Sequence, residues 1–155
     1  MRRALKIIGV AIVGVFLSLQ ARQPDRTNPP VDPAQAITRH LTLPDDVAAI
    51  LDRACRDCHS NETRWPLYAY VAPISWEVAE HVANGRQEMN LSEWGTYDRD
   101  TAQDLLVMMC RQARSRDMPL PSYTRLHRDA RLTDADIARL CQWTAAERRR
   151  LREAE

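Results

Sequence analysis

Strand-forming signal is scarce in this chain. After residue 20 there are few runs of β-branched residues, and the 155 residues include only four glycines against nine prolines. That balance disfavours a sheet and favours helices joined by proline-containing loops. The alternation of strands and crossover helices that would frame a thioredoxin-like dithiol is absent. Charge of one dominant sign is missing too. The formal net charge is +1, with acids and bases interspersed until the last residues, so no basic face offers itself to nucleic acid, which is excluded as a partner. No internal repeat is visible. Once an N-terminal targeting segment is set aside, the remainder has the length of one domain. The expected fold is all-α.

Cysteine is also scarce, with four in the chain, but two of them stand in a pattern. Cys55-Arg56-Asp57-Cys58-His59 is a C-x-x-C-H box, the attachment signature of a c-type haem. Two thiols at this spacing can form thioethers with the two vinyl groups of one porphyrin, and the adjoining imidazole of His59 then serves the iron as proximal ligand. The rival readings are half a zinc site and a redox dithiol. Structural zinc wants a second ligand pair at matching spacing, whereas Cys110 and Cys141 stand far apart and alone.

The N-terminus opens with Arg2-Arg3 and Lys6, ahead of an apolar run from Ile7 to Leu19. Positive residues before such a run keep the N-terminus inside and send the downstream chain across the membrane. Residues 1–21 therefore read as a membrane anchor or a signal segment. The small-x-small cleavage pattern is poor, because Leu19 stands where a small residue belongs, and this favours retention. From Ala4 to Ala21 a helix reaches about 27 Å, enough for a thin hydrocarbon core. Either way the box lies on the periplasmic side of the bacterial inner membrane, where c-type haem is attached and disulfides persist. Cys110 and Cys141, each near the inward face of a predicted helix, are expected to form a bridge there.

Residues 22–43, with Pro24, Pro29, Pro30 and Pro33 among polar residues, read as an extended spacer holding the domain off the membrane. The domain itself is expected over 44–147. Pro44-Asp45-Asp46 opens a helix whose stripe Val47, Ile50, Leu51, Ala54 runs into the box. A second helix is expected from Ser75 to a stop at Gly85, with His81 on its apolar stripe. A third begins near Asp98 or Asp100 and carries Ala102, Leu105, Leu106, Met109 and Ala113. A last opens on the capping pattern Thr133-Asp134-Ala135-Asp136 and turns Ile137, Leu140 and Cys141 inward. Residues 148–155 form a basic tail, read as a solvated helix end.

Cys58-His59-Ser60-Asn61-Glu62-Thr63-Arg64-Trp65-Pro66, together with Tyr70-Val71-Ala72-Pro73-Ile74-Ser75-Trp76, resembles the small bacterial haem-binding domain family whose members carry C-x-x-C-H-S-N-x-T-x-W-P. The likeness runs from Asn28-Pro29-Pro30 to Trp143 and includes Leu91-Ser92-Glu93-Trp94 and Met118-Pro119 with Tyr123. It implies a small cytochrome c-like helical domain around one covalent haem. The candidate sixth ligand is Met118, which comes after a helix end, precedes a proline and lies 59 residues after His59. Met108 and Met109, at stripe spacing, read as packing; His81 reads as a buried histidine, His127 as a surface residue and His40 as part of the spacer. Trp65, Tyr70 and Trp76 are expected in the haem wall and Arg64 on a propionate. The functional expectation is single-electron transfer with periplasmic redox proteins. The alternative is a peroxidase-like or gas- or redox-sensing haem, with the sixth position open or held by histidine.

Overall fold

The computed structural model describes residues 1–153, and among these there are helices and no strand. In chain order the helices are α1 (Arg2–Gln20), α2 (Ile37–His40), α3 (Asp45–Ala54), α4 (Arg56–His59), α5 (Ile74–Glu88), α6 (Arg99–Ser115), α7 (Pro121–Leu126) and α8 (Asp134–Glu153). Short 3-10 turns at Leu67–Tyr70, Leu91–Thr96 and Arg128–Ala130 connect them.

The core is built by the stripes visible in the sequence. Val47, Ile50, Leu51 and Ala54 are the buried face of α3. Ala102, Leu106, Met109 and Ala113 are that of α6, and α8 contributes Ile137, Leu140, Cys141 and Trp143. Complete burial of side chains such as Leu106 and Leu140 stabilises by about 1.5–3 kcal/mol each. The helix starts are chemically marked. Asp98 accepts from the Thr101 N–H at 2.7 Å ahead of α6. Ahead of α8, Thr133 and Asp136 cap reciprocally, each side chain taking the other's N–H at 2.8 and 3.1 Å. α6 and α8 pack side by side, and the sulfurs of Cys110 and Cys141 stand 2.03 Å apart between them, the expected bridge.

The structure first departs from the sequence reading at α5, whose N-cap is Pro73, with Ser75 buried inside the first turn rather than capping it. Gly85 does not stop α5, which continues to Glu88. No glycine among the described residues has positive φ. Instead, Gly85 is where α5 touches α4: a Cβ there would lie 2.5 Å from the Cys58 carbonyl oxygen and 3.1 Å from the Cys58 Cβ. The missing side chain serves a close approach, so the helix has no reason to end. A further difference concerns residues 22–43, which are folded down rather than free. Ile37 and Leu41 are core residues at 5 % exposure each, and the Gly95 N–H donates to the Gln35 carbonyl at 2.9 Å. Trp143 and the buried carboxylate of Glu147, both on α8, hold the carbonyl and N–H of Thr42.

α1 stands apart. Every residue from Met1 to Ser18 is exposed, and 19 residues of helix extend about 29 Å at 1.5 Å per residue. By length and composition it is a candidate membrane anchor or signal.

Candidate functional site

The sequence Cys55 to His59 continues from α3 almost without a break. Cys55 leaves helical geometry at φ −126°, and α4 restarts at Arg56 for a single turn. That turn aims Cys55, Cys58 and His59 into one cavity of about 390 Å³, within the range of pockets that take organic ligands. Its other walls come from α5 (His81, Asn84, Gly85, Glu88), from α6 (Leu105, Met108, Met109, Gln112, Ala113), from Met118-Pro119-Leu120 with Tyr123, and from Leu132 and Leu140. The lining is mainly apolar.

His59 is set up by its neighbours. Its Nδ1 lies 3.1 Å from the Met89 carbonyl oxygen. A carbonyl can only accept, so Nδ1 carries the proton and Nε2 keeps the ring's lone pair. Burial lowers the imidazole's pKa below the ordinary histidine value, against the opposing pull of that carbonyl, and the neutral form is the one that ligates a metal. Desolvation also governs the thiols, pushing Cys55 up to about 12 and Cys58 up to about 11. Both are unbridged. Such thiols are neutral at physiological pH, unlike the depressed thiolates of redox dithiols. The other two sulfurs are consumed by the Cys110–Cys141 bridge, and no group of three or more His, Cys, Asp or Glu among the described residues is placed to hold a metal ion.

The box is also clamped by polar contacts at the cavity's edge. Asp57, between the two cysteines, accepts from Arg64 Nε at 2.9 Å and from the Tyr123 hydroxyl at 2.7 Å. Burial and the Asp57 carboxylate raise the Tyr123 pKa, keeping the phenol a donor. The Ser-Asn-x-Thr segment is structural. Ser60 Oγ donates to the Arg56 carbonyl at 2.8 Å and Thr63 Oγ1 to the Asp57 carbonyl at 2.7 Å. Asn61 is buried between Ser92, Glu93 and Asn90.

Of the residues assigned to the haem from sequence, Cys55, Cys58, His59 and Met118 line this one cavity. Arg64, Trp65, Tyr70 and Trp76 do not. The Arg64 guanidinium, outside the cavity, spends three of its N–H donors on Asp57 and on the carboxylate and carbonyl of Asp52. The three aromatics face the N-terminal segment. Trp65 Nε1 donates to Asn28 Oδ1 at 3.3 Å, Trp76 Nε1 donates to the Arg22 carbonyl, and the Tyr70 ring lies 4.4 Å beneath the Arg26 guanidinium. His81 and Met108, assigned to packing, both line the cavity. His127 is half-buried, its Nε2 3.3 Å from the Tyr68 hydroxyl and its ring edge-on to Tyr123. Sequence reasoning took Gly85 for a helix stop and missed the Met89 carbonyl and Arg86. Arg86 binds Ser60, Thr63 and Asn28 together. A main-chain acceptor leaves no residue-type signal, and a glycine inside a helical pattern does not say whether it ends the helix or admits a neighbour.

A family model described as a haem-binding domain matches residues 14–146. No curated protein and no solved structure matches the chain.

Proposed function

Because the chain belongs to the haem-binding domain family, we propose that it holds one haem covalently and carries single electrons on the periplasmic side of the inner membrane, tethered there by α1. One observation carries this reading: a C-x-x-C-H box presents both thiols and the imidazole to a mainly apolar cavity that Met118 also lines. When bound, haem c supplies a one-electron iron couple whose potential depends on its axial ligands. The residues divide the work. Cys55 and Cys58 attach the group as thioethers. His59, oriented by the Met89 carbonyl, offers Nε2 to the metal. Met118 is the proposed sixth ligand, and Leu105, Leu120, Leu132 and Leu140 exclude water from the cavity. The Cys110–Cys141 bridge suits an oxidising compartment, and Arg2, Arg3 and Lys6 ahead of the apolar run suit export of the domain.

The test is covalency. Cys55→Ala combined with Cys58→Ala should leave no haem on the denatured, acid-extracted protein, while the unaltered chain keeps it. Retention of haem by the extracted double variant overturns the reading.

A further inference from the structure

Residues 67–76, which lie outside the haem cavity, turn several large apolar side chains to the surface. Leu67 is 88 % exposed, Tyr70 51 %, Ile74 47 %, Val71 42 % and Trp76 37 %. Single exposed hydrophobics are ordinary, but a contiguous set on a small domain marks an interaction surface. Leu126, also exposed, extends the set by sharing a smaller cleft with Ile74.

What this surface meets is indicated by its attachment to α1. Gln20, the last residue of that helix, grips Ala72 from both sides: its Oε1 accepts from the Ala72 N–H at 2.9 Å and its Nε2 donates to the Ala72 carbonyl at 3.1 Å. Two residues on, the Arg22 carbonyl accepts from Trp76, and Arg26 lies over Tyr70. The apolar run of α1 ends where these contacts begin. If α1 spans the hydrocarbon, the 67–76 segment is held at the level of the outer headgroups. That layer takes Trp and Tyr rings, accepts aliphatic side chains into its acyl boundary, and offers phosphates to arginines such as Arg22 and Arg26. Glu77 and Glu80, exposed on α5 just beyond Trp76, bound the face on its wet side.

We propose that residues 67–76 are bedded in the outer-leaflet interface, so that the domain sits on the bilayer instead of hanging from it. This rests on the reading of α1 as a retained tether. The full haem-bearing chain is reconstituted in phosphatidylethanolamine–phosphatidylglycerol vesicles doped with a diazirine-bearing phosphatidylcholine. After photolysis, lipid adducts are mapped by mass spectrometry. Adducts are expected on the tryptic peptide Trp65–Arg86 as well as on α1. In Leu67→Glu combined with Ile74→Glu, the labelling of that peptide should fall about tenfold, because carboxylates resist burial in lipid, while α1 labelling and covalent haem stay unchanged. Labelling confined to α1 overturns the bedding and leaves the tether standing. A chain released without residues 1–20 overturns both. Haem attachment, scored in the same samples, reports separately on the proposed cofactor.

Discussion

The placement of one proton decides what His59 can do. With Nδ1–H given to the Met89 carbonyl, the imidazole is oriented and neutral before any ligand arrives. If the cavity holds haem as proposed, Met118, Met108, Met109 and His81, which all line it, are the candidates for the ligand facing His59. α5 carries His81 and also packs on the back of α4, through Gly85 against Cys58 and through the Met89 carbonyl behind His59. Met118 comes instead from the segment beyond α6, on a different wall of the cavity, and would be the residue to hold the metal together with His59. Met118→Ala should keep covalent haem, lose the weak far-red band of a sulfur-ligated ferric haem and admit carbon monoxide. Its potential should fall within the roughly 0.8 V that axial ligation spans. Visible spectra and a redox titration check this. If Met118→Ala stays low-spin and refuses carbon monoxide while His81→Ala turns high-spin, Met118 is not the ligand. That the box and Met118 share one cavity matches their pairing in the sequence, where residue type alone singled them out. Arg64, Trp65, Tyr70 and Trp76 lie outside that cavity, because nearness to the box along the chain does not say which way a side chain points.

Helices were the most legible level. The stripes of α3 and α6 and the caps Asp98 and Thr133 state their periods and starts in residue types alone. The packing of one helix on another was not legible, and Gly85 shows why: a glycine that ends a helix and one that lets a neighbour approach look the same in sequence. Their responses to substitution differ. In an exposed helix interior, Gly→Ala stabilises by up to about 1 kcal/mol. At Gly85 the new methyl meets the Cys58 backbone, which cannot rotate away. Gly85→Ala should instead destabilise by about 1–3 kcal/mol and lower the yield of haem-bearing protein. Thermal unfolding and haem quantitation check it, and a rise in melting temperature with normal haem content contradicts the packing role.

At the scale of the molecule, the stretch read as a free spacer is a strap. Proline and polar composition argued for an extended chain, and residues 23–32 hold no helix, although α2 interrupts the stretch further on; composition is silent on whether such a chain lies against something. Asn28 is its fastening: Nδ2 donates to the Thr63 carbonyl at 3.0 Å, while Oδ1 accepts from Trp65 and from Arg86 at 2.8 Å. Asn28→Ala should leave haem attached, since no atom of Asn28 lines the cavity. It should also convert residues 22–36 from protease-resistant to protease-sensitive, raising the initial cleavage rate at Arg22 and Arg26 about tenfold, a local opening cost of about 1.4 kcal/mol. Limited trypsinolysis with mass-spectrometric readout tests this directly, and unchanged cleavage shows that the strap does not depend on Asn28.

On the proposed reading of a tethered electron carrier, the strap would also set how redox partners are met. Undocked, the segment from Arg22 to Ala36 could extend to at most about 50 Å and let the domain sample a broad shell of periplasm, collecting soluble partners in three dimensions. With Gln20 latched to Ala72 and Asn28 fastened to Thr63, that shell shrinks to a thin layer. Under the proposed tether, encounters would become largely two-dimensional: the protein would drift laterally with its anchor and favour partners travelling in the same plane at the same height.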